Sequence, residues 1–180
     1  PLDGLHVEGN KLVNGAGQVV RLLGVSRSGT EFLCIQNHGI FDGPNDATSI
    51  AAIASWGANA VRVPLNEDCW LGINGVQPQY SGAVYQQAIM DYVNTLYSLG
   101  MATILDLHWS APGATPATGQ RPMTDVDHSR DFWKSVASYF RDNSTVIFDV
   151  FNEPFPDNNT WDSEEAWTCW RDGGSCQGIN

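Results

Sequence analysis

Basic residues are scarce in this sequence: nine Lys and Arg stand against twenty Asp and Glu, a net charge of −11. A surface of that sign repels phosphate backbones and argues against nucleic acid as a partner. A neutral substrate is indifferent to it. No apolar run is long enough to span a membrane. No phosphate cradle is present, because neither GxxxxGK nor GxGxxG occurs. Gly24-Val25-Ser26-Arg27-Ser28-Gly29 lacks that spacing and reads as a turn. Paired Cys-x-x-Cys spacing is also missing, so the usual zinc site is not expected. What is present is a chain of 180 residues, 42% hydrophobic and 16% charged, enough for one globular domain with a sizeable core.

The cysteines, Cys34, Cys69, Cys169 and Cys176, are even in number and allow three pairings. Cys169 with Cys176 closes a short Gly-rich loop, which leaves Cys34 with Cys69. Disulfides rather than free thiols imply a secreted, extracellular protein. The chain starts at Pro1 with no basic-plus-apolar leader, which reads as a leader removed or a piece excised. Asn143 and Asn158 begin Asn-x-Thr sequons, compatible with secretion.

Residues 1–21 alternate in short pieces, Leu5-His6-Val7, Lys11-Leu12-Val13 and Val19 onward, separated by "EGN" and "NGAG". These predict an N-terminal β-hairpin. Residues 22–180 then follow one rhythm. "DATSIAAIASW" predicts a helix capped by Asn45 or Asp46 and stopped by Gly57. "ANAVRVPL" predicts a strand closed by Pro64. "SGAVYQQAIMDYVNTLYSLG" is an amphipathic helix with Ala88, Ile89, Tyr92, Val93, Leu96 and Leu99 on one side and Gly100 as its stop. "MATILDLHW" is the next strand, and "SAPGATPATGQRPMTDVD" a loop. "HSRDFWKSVASYFRDN" is a helix whose apolar side is Phe132, Trp133, Val136, Tyr139 and Phe140, and "TVIFDVF" is the last strand. Alternating strands and helices demand a parallel sheet, an α/β fold. Long loops follow the strands and short ones follow the helices, which places function at the strands' C-terminal ends.

Those ends collect Ser26, Arg27 and Ser28; Arg62, Asn66 and Glu67; His108 and Trp109; and Asn152 and Glu153. A guanidinium, an imidazole, an amide, a carboxyl and an indole around one cleft suit a sugar. Indoles stack on pyranose faces, amides bond hydroxyls, and carboxyls transfer protons. Arg62 in so apolar a strand needs a purpose or a partner. Trp70 is a further candidate platform. Glu67 and Asp106 read as structural, and Trp56, Trp133 and Trp167 as core or packing residues. A metal-dependent hydrolase using His38, His108 and His128 lacks close ligand spacing. No metal or cofactor is called for.

"VRVPLN" at 61–66, "ILDLHW" at 104–109 and "FNEP" at 151–154, in this order behind an N-terminal hairpin, resemble the N-terminal half of a glycoside hydrolase family 5 enzyme. The resemblance implies the first four βα units of a (β/α)8 TIM barrel and an activity on a β-linked polysaccharide. Cellulose-type glucan comes first, and mannan or another β-glycan second. It implies Glu153 as general acid/base, Asn152 as ligand of the 2-hydroxyl, Arg62 as holder of the nucleophilic carboxylate, and His108 beside the reacting sugar. A carboxyl that must start protonated needs partial burial or a second carboxylate nearby.

A retaining enzyme also needs a second carboxyl about 5 Å from the first. No second strand-end Glu is found, and Glu164 and Glu165 read as a polar loop or helix start. The nucleophile is therefore expected from a C-terminal half present as a separate or nicked chain, or from a second copy. A non-catalytic sugar-binding half-barrel is the rival of another class. Val61, Val63, Ile104, Leu105, Ile147 and Phe148 are expected to supply, in some alternating subset, an apolar inner face that a lone chain would leave open.

Overall fold

The computed structural model describes residues 2–156 and 160–173. Two strands, β1 (His6–Glu8) and β2 (Lys11–Val13), form an antiparallel hairpin. Val19 adds one isolated bridge to Val13, not a third strand. Four strands make the main sheet: β3 (Gly24–Ser26), β4 (Ala60–Asn66), β5 (Ala102–Trp109) and β6 (Val146–Asp149). They lie in sequence order and every pairing is parallel. The helices are α1 (Ala47–Ser55), α2 (Glu67–Leu71), α3 (Ala83–Ser98), α4 (Ser129–Phe140) and α5 (Glu164–Asp172).

Local chemistry accounts for the boundaries. The Asp46 side chain caps α1 by accepting from the Ser49 amide at 2.8 Å. Gly100, at φ 75°, ends the α3 turn in the left-handed conformation that glycine adopts without steric cost. Gly24 is required for another reason. A Cβ there would lie 2.0 Å from the Ala60 carbonyl oxygen, so only glycine lets β3 approach β4.

Two strand ends differ from expectation. β4 does not close at Pro64 but runs on to Asn66. Parallel strands send alternate residues to alternate neighbours. The Arg62 carbonyl accepts from the Arg27 amide, so Pro64 also faces the β3 side. There β3 has already ended, at Ser26, and no ladder bond is lost. Thr30 Oγ1 donates to the Pro64 carbonyl instead. β6 is shorter than expected and stops at Asp149, with Val150 exposed.

Alternation divides the sheet into two faces. Val61, Val63, Leu65, Leu105 and Leu107 are fully buried in the core shared with Tyr85, Ile89 and Leu96 of α3 and Phe132 and Val136 of α4. Phe148 meets Trp133 of α4 edge to face at 5.8 Å. Of the residues expected to supply an apolar inner face in some alternating subset, Ile104 and Ile147 do so. Val61, Val63, Leu105 and Phe148 belong to the helix side. The concave side carries Ser26, Arg62, Ile104 and Ile147 level across the strands, then Asp106 level with Asp149.

Among the tryptophans, Trp133 packs as expected, edge to face on Phe132 at 5.1 Å. Trp56 is not a core residue: it follows α1 and is 73% exposed. Trp167 packs on Trp161 and Trp170 in a surface cluster on and beside α5. On α3, Leu99 turns outward past the last helical residue, and on α4 Tyr139 lies half-exposed at the margin of the apolar side. Cys34 and Cys69 form a disulfide that ties the segment after β3 to α2. The Cys169–Cys176 pairing and the Asn158 sequon lie outside the described residues.

Candidate active site

Arg62 stands at the centre of the strand ends. Its Nη2 lies 3.0 Å from Asp106 Oδ2 and 3.0 Å from Asp149 Oδ2, and it donates to Asn152 Oδ1 at 2.8 Å. Asp106 is fully buried, and burial pushes its carboxyl up from the ordinary range. The hydrogen bond with His108 and the Arg62 charge oppose that rise. His108 Nδ1 is 2.6 Å from the same Asp106 oxygen. An acceptor there places the proton on Nδ1 and leaves Nε2 to accept from Asn152 Nδ2, at a longer 3.4 Å.

Asn152 is buried and its amide is oriented by these partners. The oxygen takes Arg62, while the nitrogen donates to Gln120 Oε1 at 2.9 Å and reaches His108. Its backbone N–H donates to the Leu107 carbonyl at 2.9 Å, resuming contact with β5 after β6 has ended. Glu153 follows with φ 43°, a left-handed conformation that a residue with a side chain adopts at a cost of about 1–3 kcal/mol. Glu153 is exposed, so of the two expected means of raising its pKa, partial burial or a second carboxylate nearby, burial is not the one seen here. Glu153 lines the rim of a cavity of about 570 Å3 with Gln120, Pro154, Phe155 and Trp161.

The strand ends thus bring together Arg62, His108 and Asn152, with Glu153 next in the chain. Trp109 ends β5 half-buried, its ring 6.4 Å from that of Phe32. Trp70 is a correction. It is fully buried on the helix side, edge-on to Tyr85, Phe132 and Tyr139, with its indole N–H bonded to Ser135. A platform needs an open ring face, and this one has none.

Several residues escaped the sequence reading. Asp106 and Asp149 had a signal, since acids inside apolar strands need a cation, and the two lie level with each other two residues beyond the row of Arg62. Asp106 was taken as structural, and it is also the group that orients His108. Glu31 is a buried carboxyl after β3, raised by burial and within the electrostatic reach of His108 and Asp106. Its side chain accepts from the Gly29 amide at 2.7 Å. Gln120 and Trp161 lie in irregular segments whose composition gave no signal. Among the described residues, no group of three His, Cys, Asp or Glu side chains is arranged to hold a metal ion.

The family model described as cellulase (glycosyl hydrolase family 5) matches residues 13–173. The chain belongs to that family. The endoglucanase MaCel5A of Microbulbifer sp. (strain ALW1) is 27% identical over 167 residues, which are 91% of this chain and 28% of that protein. A mannan endo-1,4-beta-mannosidase of Streptomyces lividans is 27% identical over 171 residues, 92% of this chain and 36% of that protein. Among solved structures, the beta-glucanase SdGluc5_26A from Saccharophagus degradans superposes with a TM-score of 0.65 at 27% identity, over 93% of this chain and 47% of the other. An endocellulase from Pyrococcus horikoshii, solved with cellotetraose, shares the fold at TM-score 0.64 and 23% identity, over 91% of this chain and 48% of that one. The chain spans 28% to 44% of the length of the curated relatives it matches. The fold is the first four βα units of a family 5 barrel behind an N-terminal hairpin.

Proposed function

We propose that this chain supplies the acid/base half of a retaining glycoside hydrolase that cleaves a β-1,4-linked polysaccharide, a cellulose-type glucan first. The observation that carries the reading is the linkage of Arg62 to Asn152 directly and to His108 through Asp106 at one mouth of the sheet, with Glu153 beside them. A mannan is the second substrate reading, favoured by the likeness to a mannan endo-1,4-beta-mannosidase. The Cys34–Cys69 disulfide supports an extracellular site of action.

The roles are those that the family resemblance implies. Glu153 protonates the departing glycosidic oxygen. Asn152 bonds the 2-hydroxyl of the reacting sugar through the hydrogen now spent on the long contact with His108, and His108 and Trp109 line that sugar's subsite. The cavity between Glu153 and the rings of Phe155 and Trp161 receives the leaving-group side of the chain, since the acid must face the leaving oxygen. Arg62 holds the nucleophilic carboxylate. That carboxylate is expected from the C-terminal half of the barrel.

Glu153→Gln keeps the shape and removes the proton. Hydrolysis of unactivated β-glucan by the assembled enzyme is expected to fall by about 10²–10⁴-fold. Full activity on the natural glycan would rule out the acid/base assignment.

A further inference from the structure

Gln120 belongs to the loop between β5 and α4, and no strand or helix presents it. Its single carboxamide nevertheless meets three atoms of the Asn152–Glu153 pair. Nε2 donates to the Asn152 carbonyl at 2.5 Å and to the Glu153 carbonyl at 3.0 Å. Oε1 accepts from Asn152 Nδ2 at 2.9 Å. An amide nitrogen has two hydrogens, so both carbonyls are served by one group.

This arrangement bears on the backbone at Glu153. Two successive carbonyl oxygens converging on one point repel each other unless a donor stands between them. The left-handed φ of 43° adds its own cost for a residue with a side chain. Gln120 offsets both terms. The Asn152 amide does not depend on Gln120 for its orientation, because Arg62 claims its oxygen.

The loop is fastened on both sides of Gln120. Three residues earlier, the buried Ala117 donates its N–H to Asp68 Oδ2 at 2.8 Å and accepts from Asn66 Nδ2 at 2.8 Å. Two residues later, the Pro122 carbonyl accepts from the Phe155 amide at 3.2 Å. Gln120 therefore acts from a foundation laid by the end of β4.

We propose that Gln120 is a positioning residue: it holds Glu153 in its left-handed conformation so that the carboxyl faces the leaving oxygen. The proposal rests on the reading of Glu153 as acid/base. It predicts a loss confined to proton donation, which a general loss of folded protein would not show.

The test uses the assembled enzyme with Gln120→Met, which keeps the volume and removes every bond, and with Gln120→Glu, which keeps the length and loses the donors. On an unactivated β-glucan, kcat is expected to fall about 10²-fold with KM little changed, the scale of a misplaced reacting group. On a dinitrophenyl glycoside, whose leaving group needs no proton, the pre-steady-state burst is expected to keep its parent rate. Equal losses on both substrates, or no loss on the glucan, overturn the proposal. If one variant does not fold, the other decides alone. Should neither fold, Gln120 is a folding residue and the proposal falls. Glu153→Gln is run in parallel. If it hydrolyses glucan normally, the acid/base reading fails first. If it shows the leaving-group dependence and the Gln120 variants do not, only the positioning role is lost.

Discussion

Glu67 shows how far one residue can depart from what its type suggests. It follows Asn66 at the start of α2 and is fully buried. The Ser129 hydroxyl lies 2.7 Å from Glu67 Oε2 and 2.8 Å from Asp125 Oδ2, and one hydroxyl hydrogen cannot serve two carboxylates. Burial and the adjoining Asp125 push Glu67 up to about 9. Burial also raises Asp125, but hydrogen bonds from Glu67, the His128 amide and Ser129 outweigh it and hold that partner at about 2. Glu67 is thus protonated when folded and ionised when unfolded across the interval from 4.5 to about 9. The unfolded state binds fewer protons there, so stability falls as pH rises through that interval. Asp125 acts in the opposite sense, but only below 3.8. Thermal melts between pH 5 and pH 9 should show the decline, and Glu67→Gln should flatten it. An equal slope in the variant would refute the assignment. The sequence marked Glu67 as structural and could say no more, because Asp125 and Ser129 come from a different loop and helix. His108, Asn152 and Glu153 drew notice because each lies at or beyond the end of an apolar strand, and Arg62 because a charge inside such a strand needs a partner. Trp70 was misread because an indole near a strand end looks alike whether it faces solvent or the helix layer.

At the scale of elements, the order of strands and helices could be read from periodicity and glycine stops, and most helix faces with it. The strand ends were less legible. A proline stops a strand only if its nitrogen faces a partner, and whether β3 reaches Pro64 depends on strand length, not on Pro64. The disulfide was legible from cysteine arithmetic alone. It clips the segment carrying Glu31 to the helix that begins with Glu67, across a sequence separation of 35 residues. Replacing Cys34 and Cys69 together by Ser should cost about 2–4 kcal/mol, seen as a lower urea midpoint at an unchanged slope. A midpoint equal to the parent's would show that the bridge adds nothing. The loop from Ser110 to Asp127 was the least legible element. Its anchors are individual polar contacts to Asn66, Asp68, Asn152, Glu153 and Phe155, and long-range contacts of that kind leave no periodic trace.

For the whole molecule, β3 and β6 are the outer strands of the main sheet among the described residues, each with backbone groups that a closed barrel would pair. The purified chain, freed of any companion, is expected to associate with itself rather than remain a monomer. Light scattering decides this, and a soluble monomer that hydrolyses β-glucan unaided would overturn both this expectation and the half-site reading. The force behind such association is not the one the sequence suggested. Valine and leucine point to the helices, while Arg62, Asp106, His108 and Asp149 occupy the hollow of the sheet. That hollow is wettable. The self-association expected above would then bring charged surfaces together more than oily ones. Its rate should respond to ionic strength, because steering between charges is screened by salt. Among the described residues, the concave side of the sheet thus carries Arg62, His108 and Asp149, all open in part to solvent, beside the apolar Ile104 and Ile147.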